Sequence, residues 1–451
     1  MKNIFFILLT GLLGIFACQK QGETKMWTEK QITFDAKNHD LDDNDNFSPD
    51  NKWLVYDIRD DAGIGANPAI EKVNVETGEM VTIYQPHNQT AFGPGCGAAS
   101  YHPTENKVVF IHGLFSCSEE NPYHWWRRFG MIVDESQPDK PIVLDARDVQ
   151  PPTTPGALRG GTHRHEWSAD GQWIGFTYND ALLAQKEAET GKRVNLRTLG
   201  VSHNSASVSV KHAGSGENFD GAWFSALIVQ VVSDPEPGSD EISRADGDRW
   251  LGTHGYKSKD GTMQQARTFL GHVRDAQGNT VKEVYVVDVP ERIDEPGDEL
   301  AYKDTNLYIP KGVKWRRITR TAEWPKPGVK RVTSSPDGAL LSFLATDAEG
   351  RDQLFLIPTM GGELKQVTHQ KKTLEMDGGI RWRPGHNMIS YVCDNTIWLY
   401  SVDDDTSYAI TPKFQIKPYN LSWSHDGNVL AYNKILRDGE EAFKQVFLLT
   451  N

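Results

Sequence analysis

The chain has 451 residues and carries 48 Lys and Arg against 61 Asp and Glu, a formal net charge of −13. A chain with that deficit has no basic surplus to set against a phosphate backbone, so nucleic acid is not an expected partner. The sequence also lacks a Gly-x-Ser-x-Gly nucleophile elbow, a Gly-Lys-Ser/Thr phosphate loop and a dinucleotide fingerprint, which removes the serine hydrolases and nucleotide enzymes built on those motifs.

Met1-Lys-Asn is a charged start, Ile4 to Phe16 is a short apolar run, and Ile15-Phe-Ala-Cys18 ends it. The run is too short to span a bilayer and reads as a cleaved export signal over residues 1–17. Its ending resembles a bacterial lipobox, which implies that Cys18 is lipidated, that residues 18–28 form a tether, and that residues 29–451 are a single domain held at a membrane surface by acyl chains. Gln19, where an Asp would signal retention in the inner membrane, implies an outer-membrane lipoprotein of the bacterial cell envelope. Of the remaining cysteines, Cys96 and Cys117 are spaced to bridge a hairpin, while three free thiols at Cys96, Cys117 and Cys393 are an equal alternative.

Beyond the tether an eleven-residue frame recurs without gaps. Phe47 to Asp57, Tyr101 to Ile111, Trp167 to Thr177, Ser334 to Leu344, Trp382 to Val392 and Trp423 to Asn433 superimpose as an aromatic ending one strand, a turn, and an apolar strand. In Ser335-Pro-Asp-Gly338 the Pro fixes φ, the Asp accepts a local backbone bond and the Gly takes a positive φ. The alternation that follows, as in Ile174 and Phe176, has the period of a strand. Repetition at about 40–50 residues with about four strands per unit predicts an all-β propeller of four-stranded blades. Six frames are plain, and dividing the stretch between Trp167 and Ser334 by the spacing elsewhere adds blades to a total of eight, with seven left open if that stretch holds long loops. Lys30 to Phe34 is an orphan strand and Gln445 to Leu449 lacks an outer neighbour, so the N-terminal strand is expected to complete the last blade and close the ring.

Four Pro-, Gly- and charge-rich segments exceed what a blade needs and read as loops that carry binding: Ser116 to Asp139, Gln150 to Gly161, Ser233 to Asp248 and Glu291 to Lys311. Arg159-Gly-Gly-Thr-His-Arg-His-Glu-Trp167 runs into the clearest frame and is placed on an inner, channel-lining strand. Two residues apart, His163 and His165 share one side of a regular strand and can converge on a metal ion or an anion, or pack between blades with Trp167. Asn121 to Gly130 offers Trp125 and Trp126 for stacking on sugar rings and Arg127 and Arg128 for carboxylates, or a plug over a blade top. Asp240, Glu241 and Arg244 form a further charged group expected to bind ligand, or else to serve as ion-paired scaffolding.

The Ser-Pro-Asp-Gly frames resemble the repeats of TolB-like propellers over residues 30–451. More narrowly, Phe110-Ile-His-Gly113, the loop ending in Arg127-Arg128, Thr154 to His163 and Gly238 to Arg244 resemble the YidR-like bacterial family. A more distant resemblance, resting on His163 and His165, is to oligogalacturonate lyases, propellers that cleave uronate oligomers with a channel metal held by His and Gln. Together these lead to a membrane-anchored envelope propeller, a monomer, that binds a glycan or an envelope protein at its channel mouth. The alternative they imply is a metal-dependent β-elimination on uronate oligosaccharides: His163 and His165 as ligands or base, Mn or Ca as the divalent metal, and Arg127, Arg128 or Arg159 neutralising the carboxylate.

Overall fold

The computed structural model describes residues 26–42, 45–211, 216–303 and 305–451. Cys18, the leader and most of the tether lie outside the described residues.

Among the described residues the strands form seven blades around one axis. The second blade is Cys96–Tyr101, Lys107–Gly113, Arg128–Asp134 and Ile142–Val143; the third is Gly160–Trp167, Trp173–Asp180, Thr198–His203 and Phe224–Leu227. Arg244–Trp250 opens the fourth, Val329–Ser334 the fifth, Arg381–Trp382 the sixth and Tyr419–Trp423 the seventh. The first has three ladder strands from Trp53 to Tyr84, with bridges from Asp40 to Asp57 and Phe47 to Leu54 on its inner side.

The count is therefore seven, where the spacing favours eight. Between Trp167 and Ser334 the extra length goes into insertions instead of another blade, one of them the small hairpin Tyr256–Lys257 with Met263–Gln264. The others are the helix Ala181–Thr190, capped by Asp180 accepting from Leu183 N at 2.8 Å, the excursion 204–223, and the hairpin Pro296–Leu300 with Tyr308–Pro310. Ser116–Asp139 is also not all loop, because Arg128–Asp134 is the third strand of the second blade.

The ring closes as expected from its ends. Thr28–Gln31 pairs antiparallel with Glu441–Thr450, Gln31 opposite Phe447, two residues earlier than the orphan strand read in the sequence. Trp27, 8% exposed, fixes the seam edge-on against Trp423 with ring centroids 5.7 Å apart.

The recurring frame has two mechanical roles. At the turn, Ser48, Ser168, Ser335 and Ser424 each bond to the Asp two residues on and accept the amide five residues on, at 3.0, 3.0, 3.0 and 2.9 Å respectively. At the aromatic, the indole N–H ties four of the blades to the one before: Trp167 donates to Ser100 O, Trp250 to Glu166 O, Trp382 to Ser342 Oγ and Trp423 to Ser390 Oγ. With Phe47 and Tyr101 these indoles line a cavity of about 380 Å³ at one end of the channel.

A further regularity is invisible in the residue types. Three positions before the frame, the inner strand turns left-handed in six blades, at Ala98, Arg164, Gly247, Arg331, Gly379 and Asn420, with φ of 55°, 57°, 64°, 50°, 79° and 54°. In the third blade the pairing slips there, His163 facing Thr177 and Glu166 facing Gly175, so one residue is bulged out of the ladder. A non-glycine residue pays about 1–2 kcal/mol for that conformation, and the bulge breaks the two-residue alternation on which the histidine pairing depends.

Candidate functional site

At the channel end opposite the aromatic ring, the segment 114–127, which joins two strands of the second blade, reaches over onto the third. It rests on Gly161, where a Cβ would come within 2.2 Å of the Trp125 carbonyl oxygen, so only glycine admits it. Trp126 stacks on His124 with centroids 3.5 Å apart, and Arg127 Nη1 donates to Glu217 Oε1 at 2.6 Å. Those contacts hold the segment down and leave Trp125 55% exposed.

The chain then dives into the strand, and Arg128 is only 3% exposed. Its Nη1 donates to Tyr123 Oη at 3.0 Å, while its buried Nε has no partner. Tyr123, Trp125, Arg128 and His163, with Ile64 and Phe92, line an open cavity of about 380 Å³. Arg197, entering the third strand of the third blade, stands beside one wall of this cavity without lining it, its guanidinium carbon 5.7 Å from the Trp125 ring centroid and its Nε bonded to Asn179 Oδ1 at 3.1 Å. Burial and then the positive charges of Arg128, Arg197 and Arg164 hold the His163 imidazole well below its usual range, so it is neutral at neutral pH.

The bulge at Arg164 separates the two histidines. His163 is paired with Thr177, whose hydroxyl lies 3.4 Å from its Nδ1, on the blade face whose Gly175 abuts Arg267 of the fourth blade. His165 points to the opposite face, wholly buried against Gly130 of the second blade. Its Nε2 donates to Thr162 Oγ1 at 3.0 Å, and that hydroxyl in turn donates to Asp145. His165 therefore packs between blades with Trp167, and the pair does not converge on one ion. Among the described residues no group of three His, Cys, Asp or Glu side chains is placed to hold a metal ion. The divalent metal implied by the lyase resemblance does not fit the residues at this mouth.

The other expected residues are occupied elsewhere. Arg159, 6% exposed, gives its Nε to Asp180 Oδ2 at 2.7 Å and is a buried strut. Asp240 is held by Arg317 and Arg320, Glu241 accepts from Glu236 N at 2.8 Å, and Arg244 binds Asp246 at 2.5 Å. None of Arg159, Asp240, Glu241 and Arg244 lines the cavity. Cys96, Cys117 and Cys393 are free thiols. Tyr123, which lines the cavity, and Arg197, which stands beside its Trp125 wall, were not selected by sequence reasoning: Tyr123 lies within the aromatic loop already noted, whereas Arg197 sits in an unremarkable stretch after the helix.

Comparison with known proteins agrees with the repeat reading. Residues 95–217 match the family model described as a protein of unknown function, DUF3748. In structure, 94% of the chain aligns with 98% of an oligogalacturonate lyase in complex with manganese, at a TM-score of 0.52 and 11% identity, which is a likeness of fold. A putative TolB from Agrobacterium tumefaciens aligns over 76% of this chain and 87% of its own, with a TM-score of 0.36 and 14% identity. The uncharacterised protein YidR of Escherichia coli (strain K12) is 34% identical over 380 residues, covering 82% of this chain and 85% of that protein, and on this evidence the chain belongs to the YidR family.

Proposed function

We propose that this chain is a binding propeller of the bacterial envelope, held to a membrane by acyl groups on Cys18, which captures a glycan at the channel mouth between its second and third blades. The observation that carries this reading is Trp125, a 55%-exposed indole on a segment pinned from below, standing over an open cavity that Tyr123 and Phe92 also line. Flat apolar faces beside a few fixed polar groups are the usual equipment for holding a sugar ring. A glycan is favoured over a protein partner because this cavity is concave and small. Binding is favoured over elimination because the histidine pair is split between two faces of a blade.

Retention on an array of envelope polysaccharides tests the reading. Trp125→Ala should lose most of its retention, by an order of tenfold or more if one stacked ring is removed, with the melting temperature unchanged. A variant that keeps full retention, or an array on which the wild type binds nothing, refutes it.

A further inference from the structure

Most buried or half-buried arginines of this fold have a carboxylate. Arg127 has Glu217, Arg159 has Asp180, Arg267 has Asp248 and Glu166, and Arg317 has Glu283. Arg128 and Arg197 do not: among the described residues neither makes an ion pair, although the chain carries 13 more acidic than basic groups. The carboxylates nearest in charge terms, Asp246 and Asp248, are already bound to Arg244 and Arg267. The repulsion is felt, since burial and then Arg128 and Arg244 lower the Arg197 guanidinium to about 10. A buried cation without a counter-ion is strongly unfavourable, and Arg128 is nearly inaccessible, with its Nε unpartnered.

We propose that Arg128 and Arg197, with His163 and the Trp125 ring beside them, form a binding site for an oxyanion borne by the ligand: a carboxylate, or equally a phosphate or sulfate ester. The site rests on the reading above that the cavity holds a ligand, and it specifies the acidic group that ligand carries. Arginine suits it because the planar fork offers two parallel donors to an oxyanion. Tyr123 and Asn179 hold one donor of each guanidinium, fixing its plane and leaving the others for the anion. His163, neutral and half-buried, adds a hydrogen bond without adding charge. The anion relieves the repulsion between Arg128 and Arg197.

The test is thermal unfolding of the intact protein with glucuronate, inorganic phosphate or glucose at equal ionic strength. Glucuronate or phosphate should raise the melting temperature, and glucose should not. Response to glucuronate alone assigns a carboxylate, and response to phosphate alone assigns a phosphate or sulfate. Arg197→Gln should weaken the effective anion by about tenfold or more, while raising the melting temperature of the protein without anion, a gain that a merely structural arginine would not give. The proposal is overturned if neither anion stabilises the wild type, or if Arg197→Gln responds as the wild type does. If glucose stabilises as much as glucuronate, a sugar is bound without use of its charge, and the glycan reading survives while this one fails.

Discussion

Replacing Trp27 by Ala probes whether the N-terminal strand is a structural member or an ornament. The indole is 8% exposed, lies edge-on to Trp423 at 5.7 Å, and has the Arg383 guanidinium over its ring at 5.1 Å. Burying an indole removes roughly 150–250 Å² from water, which at about 25 cal/mol per Å² is about 4–6 kcal/mol. Large-to-small changes of this type cost about 3–5 kcal/mol once the surroundings relax. Against a typical stability of about 5–15 kcal/mol, the variant should lose about a fifth or more, because Trp27 is the buried aromatic anchor beside the four-residue strand Thr28–Gln31, whose own residues are mostly exposed. Urea unfolding of wild type and Trp27→Ala measures the loss, and hydrogen exchange at Lys30 and Gln31 shows whether the seam opens first. Trp125→Ala is the control of equal chemistry: at 55% exposure it should change stability by no more than about 0.5 kcal/mol. A Trp27→Ala loss below about 1 kcal/mol would refute the idea that this residue locks the ring.

Arg267→Met should cost about 3–5 kcal/mol, read by denaturant unfolding, because it strands Asp248 as a buried, unpaired carboxylate between the third and fourth blades and leaves Glu166 with Arg249 as its remaining ion-pair partner. His165 is held at about 3 by burial and then by Arg128, so the folded ring stays neutral while the unfolded one gains a proton as pH falls past about 6.5. Its contribution is therefore complete above that pH and drains away towards pH 3, and the stability advantage of wild type over His165→Gln should shrink by about 2 kcal/mol between pH 6.5 and 5.0; parallel pH curves would contradict a buried neutral ring. The comparison has to be differential, because burial raises the Asp57 and Asp145 carboxyls to about 7 and their contribution runs with the opposite sign over the same interval. Ser335→Ala should lose about 1 kcal/mol by removing the acceptor of the Leu340 amide, and Ser168→Ala and Ser424→Ala should match it if the turn is a repeated unit.

The frame was legible because its information is local. Ser335, Asp337 and Gly338 form their turn within six residues, and an aromatic just before it reaches the neighbouring blade wherever the unit occurs. The sequence alone therefore determined a propeller of these blades and its closure by the N-terminal strand, since two unmatched strands at the chain ends have no cheaper partner. It misled on number, because inserted helix and hairpin occupy length that spacing counts as a blade.

The site was less legible, and the reason is the bulge. Nothing about Arg164 announces a left-handed residue, yet its φ of 57° moves His163 and His165 to opposite faces and undoes the pairing inferred from regular alternation. Arg128 could be nominated from its aromatic neighbours, but not Arg197, 69 positions further along, nor the fact that the two lack carboxylates while Arg127 and Arg159 have them. Residue type and spacing encode how each blade folds; which charges face one another across blades, and which stay unneutralised, follows only from closing the ring, because that is the step that brings distant side chains together and removes them from water.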